Sequence, residues 1–206
     1  MTRRQRLCAA LLPAAITASL LGGVTWAPPR PRLLWNASAS APIGLYRLHF
    51  DRPAAVGEMV VVTPPLALAQ VMAGRGYLPA GVPLLKHVAA LSGAVICRRN
   101  ATVSVNGHAI AVAHAADSHG RPLPVWHGCH RLRAGEMFVL NAAADSFDGR
   151  YFGPLPTANA IGRATPVLTR DAPDQTLRWR SSSSASAFPT TTNMETYRAN
   201  RRIPRG

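Results

Sequence analysis

Residues 83–95 read PLLKHVAALSGAV, a largely apolar run that contains Lys86, the only lysine among the 206 residues. Its apolar part, residues 84–91, has the length of a strand and is broken by Gly93. A second run, MVVVT at residues 59–63, is almost entirely apolar. Such runs are expected of strands that are buried on both faces, so the sequence predicts buried strands, one of which carries the lysine.

Lys86 has two interpretations at this stage. A lysine buried in an apolar run should have a lowered pKa, because the charged form loses its water, and a neutral lysine can act as a general base. Alternatively, the side chain lies at a strand edge and extends its amine to solvent. The sequence around Lys86 leaves both open.

Further segments fit a mainly β fold. Strands are predicted at residues 43–50, 94–98, 102–105, 137–141 and 161–168. Asn106-Gly107 between β-forming residues is a strong hairpin signal. Residues 64–75, PPLALAQVMAGR, predict a helix with proline at its start and glycine after it. Residues 30–42 are interpreted as a short approach to a loop, and one or two short helices are expected in all.

The first residues predict a membrane anchor. Residues 7–27, LCAALLPAAITASLLGGVTWA, are 21 residues without charge, enough to cross a bilayer as a helix. The basic residues 1–6 favour a cytoplasmic N-terminus, which places the rest outside the cytoplasm. A cleaved signal peptide is the alternative, although an Ala-x-Ala pattern is missing near residue 27. We therefore expect an exported domain at 28–177 and a basic, Ser/Thr-rich disordered tail at 178–206.

The charge is strongly positive but does not indicate nucleic-acid binding. The formal net charge is +14, and much of it lies at the two ends of the chain. The middle lacks arginines clustered with aromatic residues, so no nucleic-acid partner is expected. His127, Cys129 and His130 lack the spacing of a metal site, so neither a metal nor a cofactor is expected.

The exported part contains two cysteines. Cys97 and Cys129 are 32 residues apart and can pair in an oxidising compartment. The alternative is two unrelated buried thiols. The sequence by itself does not decide between them.

Two more segments carry groups of chemical interest. In NASASAPIGLY, residues 36–46, Ser40 lies in a Ser-x-Pro-x-Gly sequence, where proline favours an extended backbone and a loop tip exposes the hydroxyl. In DSFDGRYFG, residues 145–153, Asp148 and Arg150 are spaced to pair, and Ser146 to hydrogen-bond a neighbour. Taken singly, the first segment is also typical of a linker, and the second of a tight turn with a structural ion pair.

Three segments resemble the boxes of type I signal peptidases, and they follow one another along the chain in the same order. They are residues 36–46, 83–95 and 145–153. More narrowly they resemble the conjugative-transfer, TraF-type branch, in which Ser-x-Pro-x-Gly replaces the Ser-Met-x-Pro of the general enzymes. Two positions depart from the family pattern: Gly149 stands where serine is usual, and Ala94 stands where aspartate is usual. The resemblance implies a signal-peptidase-like fold of short antiparallel strands behind one transmembrane helix.

The resemblance also implies roles for individual residues. Ser40 would be the nucleophile and Lys86 the general base of a Ser-Lys dyad. The backbone N–H of Ser40 and the hydroxyl of Ser38 would stabilise the oxyanion. Ser146 would hold the Lys86 amine, and the pair formed by Asp148 and Arg150 would brace that loop.

The function implied is that of a serine endopeptidase in the inner membrane, with its catalytic domain in the periplasm. Its partners would be a propilin or another exported precursor and, in addition, components of a conjugative type IV secretion system. Cleavage is sometimes followed by cyclisation of the pilin in this branch. The alternatives are a non-catalytic periplasmic scaffold of the transfer apparatus and, motivated by the charge of +14, a DNA-associated transfer factor.

Overall fold

The computed structural model of the protein describes residues 31–180. Within this range the chain forms mainly β structure, as the sequence predicts. The strands are β1 (Leu33–Asn36), β2 (Ile43–His49), β3 (Met59–Val62), β4 (Leu84–Leu91), β5 (Val95–Arg99), β6 (Thr102–Val105), β7 (His108–Val112), β8 (Gly128–Arg131), β9 (Glu136–Leu140), β10 (Leu155–Pro156), β11 (Ala160–Arg170) and β12 (Arg178–Trp179). The helices are α1 (Leu66–Gly74), α2 (Gly149–Phe152) and a 3-10 turn at Thr157–Asn159.

A large antiparallel sheet contains the strand that carries Lys86. Its order is β1-β2-β11-β3-β4-β9-β10, with β12 paired to β11. In β3, Val60 and Val62 pack in one hydrophobic cluster while Met59 and Val61 pack in another, so both faces of the strand are covered. This confirms the buried strands predicted from the apolar runs, since alternation is lost when neither face meets water.

A smaller antiparallel sheet, of order β7-β6-β5-β8, packs beside the β4–β9 pair. Its tight turn uses Asn106 and Gly107, which both have positive φ (48° and 83°), as the Asn-Gly hairpin signal predicts. Cys97 on β5 lies directly opposite Cys129 on β8, and the two form a disulfide. The structure therefore decides the question that the cysteine spacing left open.

Several short elements differ from the sequence predictions. Residues 33–36, interpreted as part of an approach to a loop, form the edge strand β1, and the turn at residues 149–152 is a single helical turn. Strand β7 is indicated only as the second strand of the Asn106-Gly107 hairpin. Strand β8 is not predicted, because GCHR has little β-forming content and depends on its partner strand. The predicted tail begins too early: Arg178 and Trp179 pair with β11.

Among residues 31–180, no helix is both long enough and apolar enough to cross a membrane. The anchor predicted at residues 7–27 lies outside the described residues, as do the basic residues 1–6 and the tail from 181 onward.

The disulfide gives the first prediction. Replacing both Cys97 and Cys129 by alanine should lower the free energy of unfolding by roughly 2–4 kcal/mol, because the bridge restricts the unfolded chain. Urea unfolding with and without reductant measures this. The wild-type protein should lose stability on reduction and the double variant should not. Equal midpoints for wild type in both conditions would show that the bridge contributes nothing.

Candidate active site

The Ser40 loop, residues 37–42, connects β1 to β2 and is held by an asparagine. Asn36 Nδ2 donates to the carbonyl oxygens of Ser38, Ala41 and Pro42 at 2.9, 3.2 and 3.0 Å. Its Oδ1 accepts from the backbone N–H of Ser38 at 3.1 Å. The buried Tyr46 hydroxyl also donates to the Pro42 carbonyl, at 2.6 Å. The loop is therefore closed by side chains on the strands that flank it.

Gly44 explains the glycine of the Ser-x-Pro-x-Gly sequence. Its φ is +142°, and a Cβ there would collide with the carbonyl oxygen of Leu168 on the neighbouring strand β11. Only glycine accepts both this backbone conformation and this close approach. The residue thus lets β2 pair with β11 immediately after the Ser40 loop.

Ser38 and Ser40 contact each other at the loop tip. The Ser40 N–H donates to Ser38 Oγ at 3.3 Å, and the Ser38 hydroxyl donates to Ser40 Oγ at 3.1 Å. Ser38 is exposed and Ser40 is partly buried. The Ser40 N–H and the Ser38 hydroxyl, the two groups expected to stabilise the oxyanion, are therefore adjacent. In this structure they bond to each other.

Lys86 lies in the interior of the large sheet, on β4 opposite Val60 of β3, and only 2% of its surface is exposed. Its Nζ donates to Ser146 Oγ at 2.7 Å. Burial lowers the pKa of Lys86 from 10.5 to about 8; the nearby Asp148 opposes this shift and Arg150 adds to it. The alternative of a lysine extending to solvent at a strand edge is wrong.

The loop that carries Ser146 is braced by a buried ion pair. Arg150 Nε and Nη2 donate to the two carboxylate oxygens of Asp148 at 2.9 and 2.8 Å, and both side chains are almost fully buried. Arg150 also donates to the carbonyl oxygens of Ala143 and Ala144. The predicted pairing is thus present, and it fixes the backbone on the approach to Ser146.

Gly149 is packed too tightly for a side chain. A Cβ at this position would lie 2.6 Å from the Phe138 ring and 2.7 Å from the Val139 carbonyl oxygen. Its own carbonyl accepts from Trp126 Nε1 at 3.0 Å. Signal peptidases usually have serine at this position. Here the contact with Phe138 leaves no room for that side chain, which is consistent with glycine.

A cleft of about 520 Å³ brings the candidate residues together. Ser38, Ser40, Lys86 and Ser146 line it, with apolar walls that include Met72, Leu78, Leu84, Leu123 and Phe147. Among the described residues, the hydroxyl of Ser40 bonds to Ser38 and the amine of Lys86 bonds to Ser146, with no hydrogen bond between Ser40 and Lys86. A partly buried serine hydroxyl, an amine with a lowered pKa and an apolar surface thus line one cleft.

The histidines and cysteines near residue 130 have other partners. Cys129 is in the disulfide, and His130 Nε2 pairs with Glu136 at 2.7 Å. Within residues 31–180, no three His, Cys, Asp or Glu side chains are grouped so that they could hold a metal ion.

Two asparagines next to the candidate residues were not identified from the sequence. Asn36 organises the Ser40 loop, and Asn141 connects β4 to the Ser146 loop. Asn141 ends the strand predicted at residues 137–141, which is the sequence signal that marks it, whereas Asn36 ends a strand that the sequence does not predict.

Comparison with known proteins gives the following similarities. The family model described as signal peptidase, peptidase S26, matches residues 4–169. The probable conjugal transfer protein TraF of Sinorhizobium fredii is 38% identical over 144 residues, which are 65% of this chain and 76% of that protein. The conjugal transfer protein TraF of Agrobacterium fabrum is 36% identical over 146 residues, 66% of this chain and 82% of that protein.

Among solved structures, a signal peptidase I from Enterococcus faecalis matches with a TM-score of 0.33 and 19% identity. The match covers 55% of this chain and 98% of that one.

The packing at Gly149 gives a stability prediction. Gly149→Ala should lower the free energy of unfolding by about 1–3 kcal/mol, because its Cβ displaces Phe138 or the β9 backbone. Gly74→Ala in α1 is the matched control: nothing lies within 4 Å of its Cβ, so alanine should stabilise that helix slightly. Chemical unfolding of both variants measures this. A Gly149→Ala protein as stable as wild type would contradict the packing.

The environment of Lys86 gives a titration prediction. Because Lys86 is the only lysine, ¹³C,¹⁵N-lysine labelling gives a single side-chain NMR signal. Its titration midpoint should lie near pH 8 in the folded protein and near 10.5 in urea. The unfolded chain keeps this proton to higher pH, so this group makes the folded state more stable as the pH rises from about 8 to 10.5. A folded midpoint above 10 would contradict the burial.

Proposed function

This chain belongs to the signal peptidase S26 family, in its TraF-type conjugal transfer branch, and we propose that it is an endopeptidase that uses Ser40 as nucleophile and Lys86 as general base. The observation that carries the proposal is the environment of Lys86. Its amine is buried, has a lowered pKa and lines the same cleft as Ser40. Within residues 31–180 no carboxylate pairs directly with Lys86, so its burial in the sheet costs stability. That cost is easier to understand if the neutral amine acts as a base.

The proposed reaction is acyl transfer in two steps. Ser40 Oγ attacks the scissile carbonyl carbon while its proton passes to the neutral Nζ of Lys86. The Lys86 ammonium then gives that proton to the leaving amine as the C–N bond breaks, which leaves an ester on Ser40. Water attacks the ester, Lys86 accepts a proton from it, and Ser40 regains its hydrogen as the acid product leaves.

The oxyanion would be stabilised by the N–H of Ser40 and the hydroxyl of Ser38. In the structure these two groups bond to each other, so the substrate carbonyl has to replace that contact. Release of Ser40 Oγ from Ser38 also makes it available to Lys86. Ser146 would keep the amine of Lys86 aimed at the cleft, through the 2.7 Å contact.

The substrate that we propose is an exported precursor, in particular a conjugative pilin. The relatives named above are conjugal transfer proteins, which supports a role in transfer. An extended segment with small side chains next to the scissile bond would lie along the cleft. We also propose that residues 7–27 anchor the protein in the inner membrane, with the cleft in the periplasm, near other conjugation components. The acyl-enzyme would be resolved by water or by the amino group of the pilin.

Processing of the pilin precursor of the same transfer system tests this function. We expect wild type to yield the mature mass, and Ser40→Ala and Lys86→Arg to reduce the rate by about 10³-fold or more, since arginine cannot be deprotonated. Ser92→Ala, an exposed turn serine outside the cleft, is the matched control and should process normally. The wild-type rate should rise with pH through about 8, as Lys86 loses its proton.

Intact mass spectrometry of the pilin provides the readout. A mature mass that is smaller by one further water would indicate cyclisation. Equal processing with all four proteins would reject the Ser-Lys mechanism and favour a non-catalytic scaffold of the transfer apparatus.

A further inference from the structure

Asn141 follows the last residue of β9 and is 3% exposed. Its side chain reaches the two neighbours of Lys86 on β4. Nδ2 donates to the Leu85 carbonyl at 3.0 Å, and Oδ1 lies 3.3 Å from His87 Nδ1. The side chain therefore holds the strand on either side of the lysine.

The backbone of the same residue contacts the ion pair of the neighbouring loop. The N–H of Asn141 donates to Asp148 Oδ2 at 3.0 Å, and its carbonyl accepts from Arg150 Nη2 at 2.7 Å. Asp148 and Arg150 in turn fix the loop that carries Ser146. Asn141 thus joins the strand of Lys86 to the loop of Ser146 with four polar contacts.

We propose that Asn141 is a positioning residue that fixes the Lys86 strand against the Ser146 loop and thereby holds Lys86 Nζ at Ser146 Oγ. This inference rests on the proposed function for its catalytic consequence, although the positioning itself is a property of the fold. A lysine side chain has four rotatable bonds, so keeping its amine at one hydroxyl requires that both backbones be fixed. Asn141 supplies that constraint without touching the amine.

The chemistry of the two contacts requires an amide. The Leu85 carbonyl can only accept, so the group facing it must be a donor. The other end of the side chain then presents an oxygen to His87 Nδ1, which donates to it. Aspartate lacks the donor and alanine lacks both groups, so neither can reproduce the pair of contacts.

The charges around Lys86 determine what a titration can report. Asp145, Asp148 and Arg150 act on it from the loop, and His87 is its neighbour on β4. Val60 lies opposite it on β3, and His114 and Asp117 also line the cleft. Asn141→Ala removes none of these charged groups, but it takes away the contact of Asn141 Oδ1 with His87 Nδ1. A change in the pKa of Lys86 in this variant therefore reports a change in the position or hydration of Lys86, together with any change at His87.

The experiment combines the single-lysine NMR titration with kinetics on a peptide that spans the cleavage site located from the mass of the mature pilin. For Asn141→Ala we expect the pKa of Lys86 to rise towards 10.5 as water reaches the amine, kcat to fall at least tenfold, and KM to stay within twofold. Val103→Ala, a cavity in the core of the small sheet, is the control for a general loss of stability. It should lower the melting temperature without moving the pKa of Lys86.

Asn141→Ser covers the case in which alanine prevents folding. The serine side chain is too short to bond both Leu85 and His87, but its hydroxyl can still bond one of them. This variant should therefore shift the pKa of Lys86 in the same direction by a smaller amount. An unchanged pKa and a kcat within twofold of wild type, in a folded Asn141 variant, would overturn the proposal. If the pKa of Lys86 shifts in the Asn141 variants but the wild-type protein does not cleave the peptide, the proposed function is rejected. The positioning role of Asn141 would then still stand.

Discussion

The amine of Lys86 is buried in the central sheet, and the rest of the site depends on keeping it there. Transfer of an ammonium group out of water is costly, so burial favours the neutral form and lowers the pKa of Lys86 to about 8. A buried neutral amine still needs a hydrogen-bond partner, and Ser146 supplies it. The strand interior thus provides both conditions that a lysine base requires: a lowered pKa and a fixed direction.

The buried ion pair beneath Ser146 completes this electrostatic arrangement. Asp148 by itself would raise the pKa of Lys86, because a nearby carboxylate stabilises the ammonium form. Arg150 offsets that charge through two hydrogen bonds while it also holds the loop carbonyls. Arg98 extends the network from β5 of the small sheet, donating to the Arg150 carbonyl at 2.6 Å. The small sheet therefore supports the loop through Arg98, although its strands lie outside the cleft.

Much of the fold and part of the site were predictable from the sequence. The runs around residues 60 and 86 show no alternation, which indicates burial on both faces, and the structure confirms it. Asn106-Gly107 specified its hairpin because local backbone sterics determine that turn. Strands β1 and β8 were missed because their few β-forming residues are held by neighbouring strands. The resemblance of three short segments identifies the family from the sequence alone.

By itself, then, the sequence determined the buried strands, the lone lysine on one of them, the glycine after Ser40, and the spacing of Asp148 and Arg150. These are local features, fixed by side-chain polarity and backbone sterics. Only the tertiary structure decided that Ser146 meets Lys86, that Cys97 meets Cys129, and that Asn141 holds the strand of Lys86. Such contacts join residues between 32 and 60 positions apart, and which carbonyl or amine a polar side chain faces depends on how distant strands pair.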